Sequence, residues 1–70
     1  MENVYFNHDN FGKCKILGFF KDVAIIELKN QVEKYVVAVG FSRKNRRWNS
    51  GYYYRDYDEA IVSYIFFAFD

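Results

Sequence analysis

The sequence predicts an α+β fold: an antiparallel sheet of three to four strands with one C-terminal helix packed on one face. Three observations carry this. Three runs rich in β-branched and aromatic residues, "KCKILGFF" (13–20), "VAIIELK" (23–29) and "KYVVAVGF" (34–41), are separated only by polar breaks at Lys21-Asp22 and Asn30 to Glu33, the pattern of consecutive hairpin strands. A charged stretch, "SRKNRR" (42–47), is followed by "WNSGYYY" (48–54), which can return as a fourth strand. From Asp56 onward the apolar residues recur at helical rather than strand spacing.

The elements follow in order. "NVYF" near the start offers a further, edge strand outside these three or four. In "VAIIELK", Ala24, Ile26 and Leu28 oppose Val23, Ile25, Glu27 and Lys29, so both faces are partly apolar. In the next run the same alternation puts Tyr35, Val37, Val39 and Phe41 on one face and Val36, Ala38 and Gly40 on the other. "SRKNRR" is the polar loop of a hairpin; Trp48, Tyr52 and Tyr54 then share one side of the returning strand, with Gly51 permitting a bulge.

Asp56 is placed to cap a helix, and Glu59 three residues later completes an acidic capping-box-like pair that suits the helix dipole. A stripe of Tyr57, Ala60, Ile61, Tyr64, Ile65 and Ala68 at i, i+3, i+4 spacing would face the sheet. Val62, Phe66 and Phe69 lie on the opposite side, where a domain of this size has no further layer to cover them. Excess apolar surface of that kind marks an interface, and the expectation is self-association as a homodimer or docking of another protein. The composition of "YIFFAF" also allows a short strand after a shorter helix.

Seventy residues make a single α+β domain, 1–70, and the initiator Met with no linker-like stretch suggests a complete small gene product. A chain this short buries only about 60% of its unfolded surface, so the aromatic content of 23% is a natural compensation. The net charge of +1 supplies no global field toward nucleic acid or membrane. Its distribution is uneven: Arg43, Lys44, Arg46, Arg47 and Arg55 have no acid among them, whereas Asp56, Asp58, Glu59 and Asp70 have no base. Pro and Thr are absent while Phe, Tyr, Asn, Lys and Ile abound, the signature of an AT-rich genome.

One cysteine, Cys14, excludes an intramolecular disulfide, and with a single histidine it excludes the usual four-ligand zinc sites. No basic region leads into an apolar run at the N-terminus, and no apolar stretch approaches the roughly 20 residues a bilayer demands. The expectation is a cytoplasmic protein without membrane partner, metal or cofactor. His8 beside Asp9 is the nearest thing to a base pair for catalysis, but neighbours in extended chain point apart, and no nucleophile elbow exists. Cys14 between Lys13 and Lys15 could be an activated thiol or a small buried residue. No phosphate-cradling glycine loop occurs, and an enzyme is not expected.

Two binding readings remain. Arg43, Lys44, Arg46, Arg47 and Arg55 with Trp48, Tyr52, Tyr53 or Tyr54 could hold single-stranded nucleic acid, bases stacking on rings for about 1 to 3 kcal/mol each. Against it stand the near-neutral total and the acidic residues just after the basic strand. Alternatively Arg43, Lys44, Arg46, Arg47, Trp48 and Tyr53 form a protein-binding surface, since Arg, Trp and Tyr dominate interface anchors. Each of these side chains also has an ordinary packing or surface reading.

The segment "YVVAVGFSRKNRRWNSGYYYRDYDEAI" (35–61) joins an apolar strand, a charged turn, W-x-x-G-x-Y-Y and an aspartate-capped amphipathic helix. In that style it resembles the small proteins carried by phages and mobile elements of low-GC bacteria, among them anti-CRISPR proteins. The resemblance covers roughly the last half of the chain and transfers no individual residue. It implies a non-enzymatic inhibitor that binds a protein partner, a CRISPR or other defence effector, in a bacterial host cell.

Overall fold

A computed structural model describes residues 4–69; Asn3 of the "NVYF" segment and the C-terminal Asp70 lie outside them. The sheet has five strands rather than three or four: β1 (Tyr5–His8), β2 (Gly12–Phe20), β3 (Val23–Leu28), β4 (Tyr35–Val39) and β5 (Ser50–Tyr54). They form an antiparallel meander in the order β1-β2-β3-β4-β5, followed by helix α1 (Tyr57–Phe69). The first strand is the one whose alternation of four residues is too short to be read securely. "YIFFAF" is helical throughout its described length.

Register assigns the two faces. Val23 pairs with Val39 and Ile25 with Val37, while Ala24 pairs with Ala38 and Ile26 with Val36. Val23, Ile25 and Val37 face α1, packing with Ala60, Tyr64 and Ala68. Cys14, Ala24, Ile26, Leu28, Val36 and Ala38 face the other way and form a second core. Strand β3 is therefore buried on both sides, as its mixed apolar alternation required.

Phe41 joins the second core, not the face of Val37 and Val39. Gly40 causes the switch: its φ of 75° breaks the alternation, and a Cβ there would stand 2.5 Å from Asn49 Nδ2. Trp48 likewise precedes β5 and packs with Tyr53 on the second core, while Tyr52 and Tyr54 fall on the helix side. Gly51 pairs in register with Ala38, so the expected bulge is not there; the register shift lies in β2, between Ile16 and Gly18.

Among the described residues no second helix covers the second core. The sheet covers it by curling. In a flat sheet of this order β1 and β5 would be roughly 19 Å apart, at about 4.8 Å per strand spacing. Instead Phe6 of β1 is 6.2 Å from Phe41, His8 is 4.8 Å from Trp48, and Phe11 is 5.7 Å from Tyr53, centroid to centroid. Strong right-handed twist thus brings the two ends of the meander together, joined by aromatic side chains.

Helix α1 begins at its cap. Asp56 Oδ1 accepts the Asp58 N–H at 3.1 Å, and the Asp56 carbonyl accepts the Ala60 N–H at 3.1 Å. The small Ala60 and Ala68 let the helix approach the sheet closely on either side of Tyr64. The buried stripe is Ala60, Tyr64 and Ala68 flanked by Ile61 and Phe67. Ile65, expected in it, is 51% exposed. At about 100° per residue, Ile65 sits about 100° from Tyr64, whereas Phe67 sits about 60° from it, so Phe67 turns inward.

Candidate functional site

Loop 42–47 is built rigidly. Ser42 and Arg47 form an isolated β-bridge, the Ser42 N–H donating to the Arg47 carbonyl at 2.8 Å. The Arg46 N–H returns to the Ser42 carbonyl at 2.7 Å, and the Asn45 N–H reaches Ser42 Oγ at 3.2 Å. Arg46 takes a left-handed conformation, φ 58°, to close the turn. Four basic residues are consequently held on one short loop.

Their head groups are ordered along the rim of the second core. The Arg43 guanidinium lies 5.2 Å from the centre of Phe19 and that of Arg46 5.4 Å from Phe6, each a cation–π contact. Arg47 meets Asp9 at 3.5 Å, both side chains largely exposed, so that pair adds little stability and serves position more than energy. Lys44 stands exposed at the tip. Arg55, at the far end of β5, borders a different hollow with Gln31, Val32 and Glu33 and does not join this rim.

Trp48 and Tyr53 are half-buried and engaged with other rings. Trp48 is stacked with Phe11 at 5.9 Å and meets His8 and Phe41 at 4.8 and 6.2 Å. With Arg46, Arg47 and the turn Asn7 to Phe11, these two residues line a cleft of about 450 Å³. Its second wall, His8, Asp9, Asn10 and Phe11, was not legible beforehand: "HDNF" reads as a simple turn, and nothing local reveals contact with residues some forty positions away.

The second candidate surface is the outer side of α1. Val62, Phe66 and Phe69 are 67, 60 and 57% exposed, and Ile65 extends the row. Phe69 stacks on Phe20 at 4.6 Å, tying the row to the end of strand β2, a neighbour that sequence spacing could not supply. This surface lies across the sheet from the basic rim.

The two residues weighed for chemistry have structural roles. His8 Nδ1 accepts the Asn10 N–H at 3.0 Å within the turn while its ring packs on Phe11 and Trp48. Cys14 is 1% exposed, its Sγ donating to the Gly12 carbonyl at 3.5 Å. Burial pushes its thiol above the ordinary range, outweighing the opposite effect of a hydrogen bond with the His8 backbone. Strand alternation turns Lys13 and Lys15 to the other face of β2, away from the thiol. Among the described residues, no helix is long and apolar enough to cross a membrane. No family model, curated protein or solved structure matches this chain.

Proposed function

We propose that this chain is a non-enzymatic protein-binding protein that inhibits its partner by covering a working surface, in its sharpest form a cytoplasmic, anti-CRISPR-like inhibitor of a bacterial defence nuclease. The observation that carries the reading is the row Val62, Ile65, Phe66 and Phe69, all more than half exposed and gathered on one side of a single helix. The rim of Arg43, Lys44, Arg46 and Arg47 over half-buried Trp48 and Tyr53 supplies the second element, a polar and aromatic surface of interface composition.

The reading is tested by affinity capture with the tagged protein from bacterial lysate, with and without nuclease treatment, followed by a cleavage assay on the captured effector. A defined protein retained after nuclease treatment, and loss of its cleavage on adding the purified chain, are the expected results. Capture that vanishes with the nucleic acid would refute it.

A second reading, a small nucleic-acid-binding or regulatory protein, has one specific observation in its favour: four bases on one rigid loop. The rings argue against a stacking role, because Trp48 and Tyr53 are already packed against His8, Phe11 and Phe41. Absence of oligonucleotide binding at low salt would remove this alternative.

A further inference from the structure

Helix α1 carries apolar stripes on two opposite sides. Ala60, Tyr64 and Ala68 face the sheet. Val62, Ile65, Phe66 and Phe69, spaced i, i+3, i+4, i+7, fall within a band about 100° wide on the far side, the seam width of a helix that packs on another helix. We propose that a second copy of this chain covers this outer stripe, its α1 running antiparallel about a two-fold axis that passes between Ile65 and Phe66. The inference rests on reading the outer face of α1 as a docking surface, and it names the occupant.

Two features of the surface favour that pairing over a parallel one. With the axis between Ile65 and Phe66, Ile65 opposes Phe66 of the second copy and Val62 opposes Phe69. Val62 borders a shallow, open depression lined by Tyr54, Asp58 and Glu59. Phe69, at the other end of the stripe, is 57% exposed and backed by Phe20, so it is a knob positioned for that depression.

The charges are arranged in the same sense. Asp58 and Glu59 flank the N-terminal end of the stripe. At its C-terminal end Lys21 Nζ stands 5.6 Å from the centre of the Phe20 ring that carries Phe69. Two-fold pairing brings each acidic end to the other copy's Lys21 and sets the helix dipoles head to tail, whereas a parallel pair would oppose acid to acid. Asp22 follows Lys21 in the same turn and Asp70 follows Phe69 in the sequence, so the attraction is made by Lys21 itself and not by the net charge of that end. The pairing is isologous: it uses each stripe once and closes at two copies.

The test combines mass with orientation. Sedimentation velocity over a concentration series should show the mass doubling, and Phe66→Asp, at a 60% exposed position and with a circular dichroism spectrum expected to match the parent's, should weaken association by at least about tenfold. Chains carrying Val62→Cys and, separately, Phe69→Cys, one of them tagged, are then mixed and oxidised; buried Cys14 does not compete. The mixed disulfide should exceed both like-with-like products. A monomer mass throughout, or Val62→Cys chains coupling to themselves as readily as to Phe69→Cys chains, overturns the inference. If the mass stays monomeric while Phe66→Asp abolishes binding to a purified partner, self-pairing falls and the docking face stands; if Phe66→Asp changes neither mass nor partner binding, both fall.

Discussion

Trp48 occupies the space that a side chain at Gly51 would need: a Cβ there would lie 2.9 Å from the indole Nε1, and 2.9 Å from the Tyr53 hydroxyl on its other side. The glycine is thus a packing requirement of the aromatic cluster, since its pairing with Ala38 is regular. Gly51→Ala should force both rings outward and cost about 1 to 3 kcal/mol by urea denaturation, the usual range for overpacking. An unchanged midpoint would mean that the cluster is too loose to close the second core.

Arg46 pays a conformational cost at φ 58° that glycine would not. Arg46→Gly removes the charge and the contact with Phe6 while relieving the backbone, so stability should change by less than about 1 kcal/mol. Partner affinity should nevertheless fall. Equal affinity of the variant and the parent chain, measured by calorimetry on the captured partner, would take Arg46 out of the binding surface.

Charge reversal at Arg46 and Arg47 separates the two binding readings. If the loop contacts phosphates, Arg46→Glu with Arg47→Glu should weaken all oligonucleotides alike and lower the salt slope by about 1 per residue. On the protein-binding reading no oligonucleotide affinity exists to lose, and the double variant loses only its protein partner. Fluorescence anisotropy from 50 to 200 mM salt distinguishes these outcomes.

Burial raises both the Cys14 thiol, from an ordinary 9.0, and the Tyr64 phenol, from an ordinary 10.0. Both groups therefore favour the folded state while neutral. That contribution is complete below the unfolded-state values and is lost as pH rises beyond them, because the unfolded chain ionises first. Stability should be level up to about pH 8 with respect to these groups and decline from pH 9 upward, and Cys14→Ala should decline less steeply. Parallel decline of the two proteins in urea titrations at pH 8, 9 and 10 would show that the thiol is not responsible.

Asp56→Ala should destabilise the fold by about 1 kcal/mol through loss of the Asp58 N–H bond, and Asp56→Asn should restore most of it. Helix content and thermal midpoint report both effects. If Asp56→Asn is as damaging as Asp56→Ala, the cap is not the operative contact.

Short-range physics was enough for much of this protein. β-branched alternation set out β2, β3 and β4, and polar breaks of two and four residues made them antiparallel neighbours. Asp56 and the i, i+3, i+4 spacing placed the helix start and its Ala60–Tyr64–Ala68 stripe. The charge run of 43–47 announced an exposed loop, and the surplus Val62, Phe66 and Phe69 announced an uncovered helix side. Each of these depends on residues a few positions apart. Tertiary structure decided the rest. Whether Ile65 or Phe67 turns inward depends on how α1 is rotated against the sheet, and only the packed sheet sets that rotation. A single positive φ at Gly40 moved Phe41 to the second core, where it meets Phe6, Phe19 and Trp48. The curl of the sheet then brought His8, Asp9 and Phe11 to Arg47, Trp48 and Tyr53. Twist accumulates over five strands and is written in no local pattern, so the cleft it creates belongs to the fold as a whole.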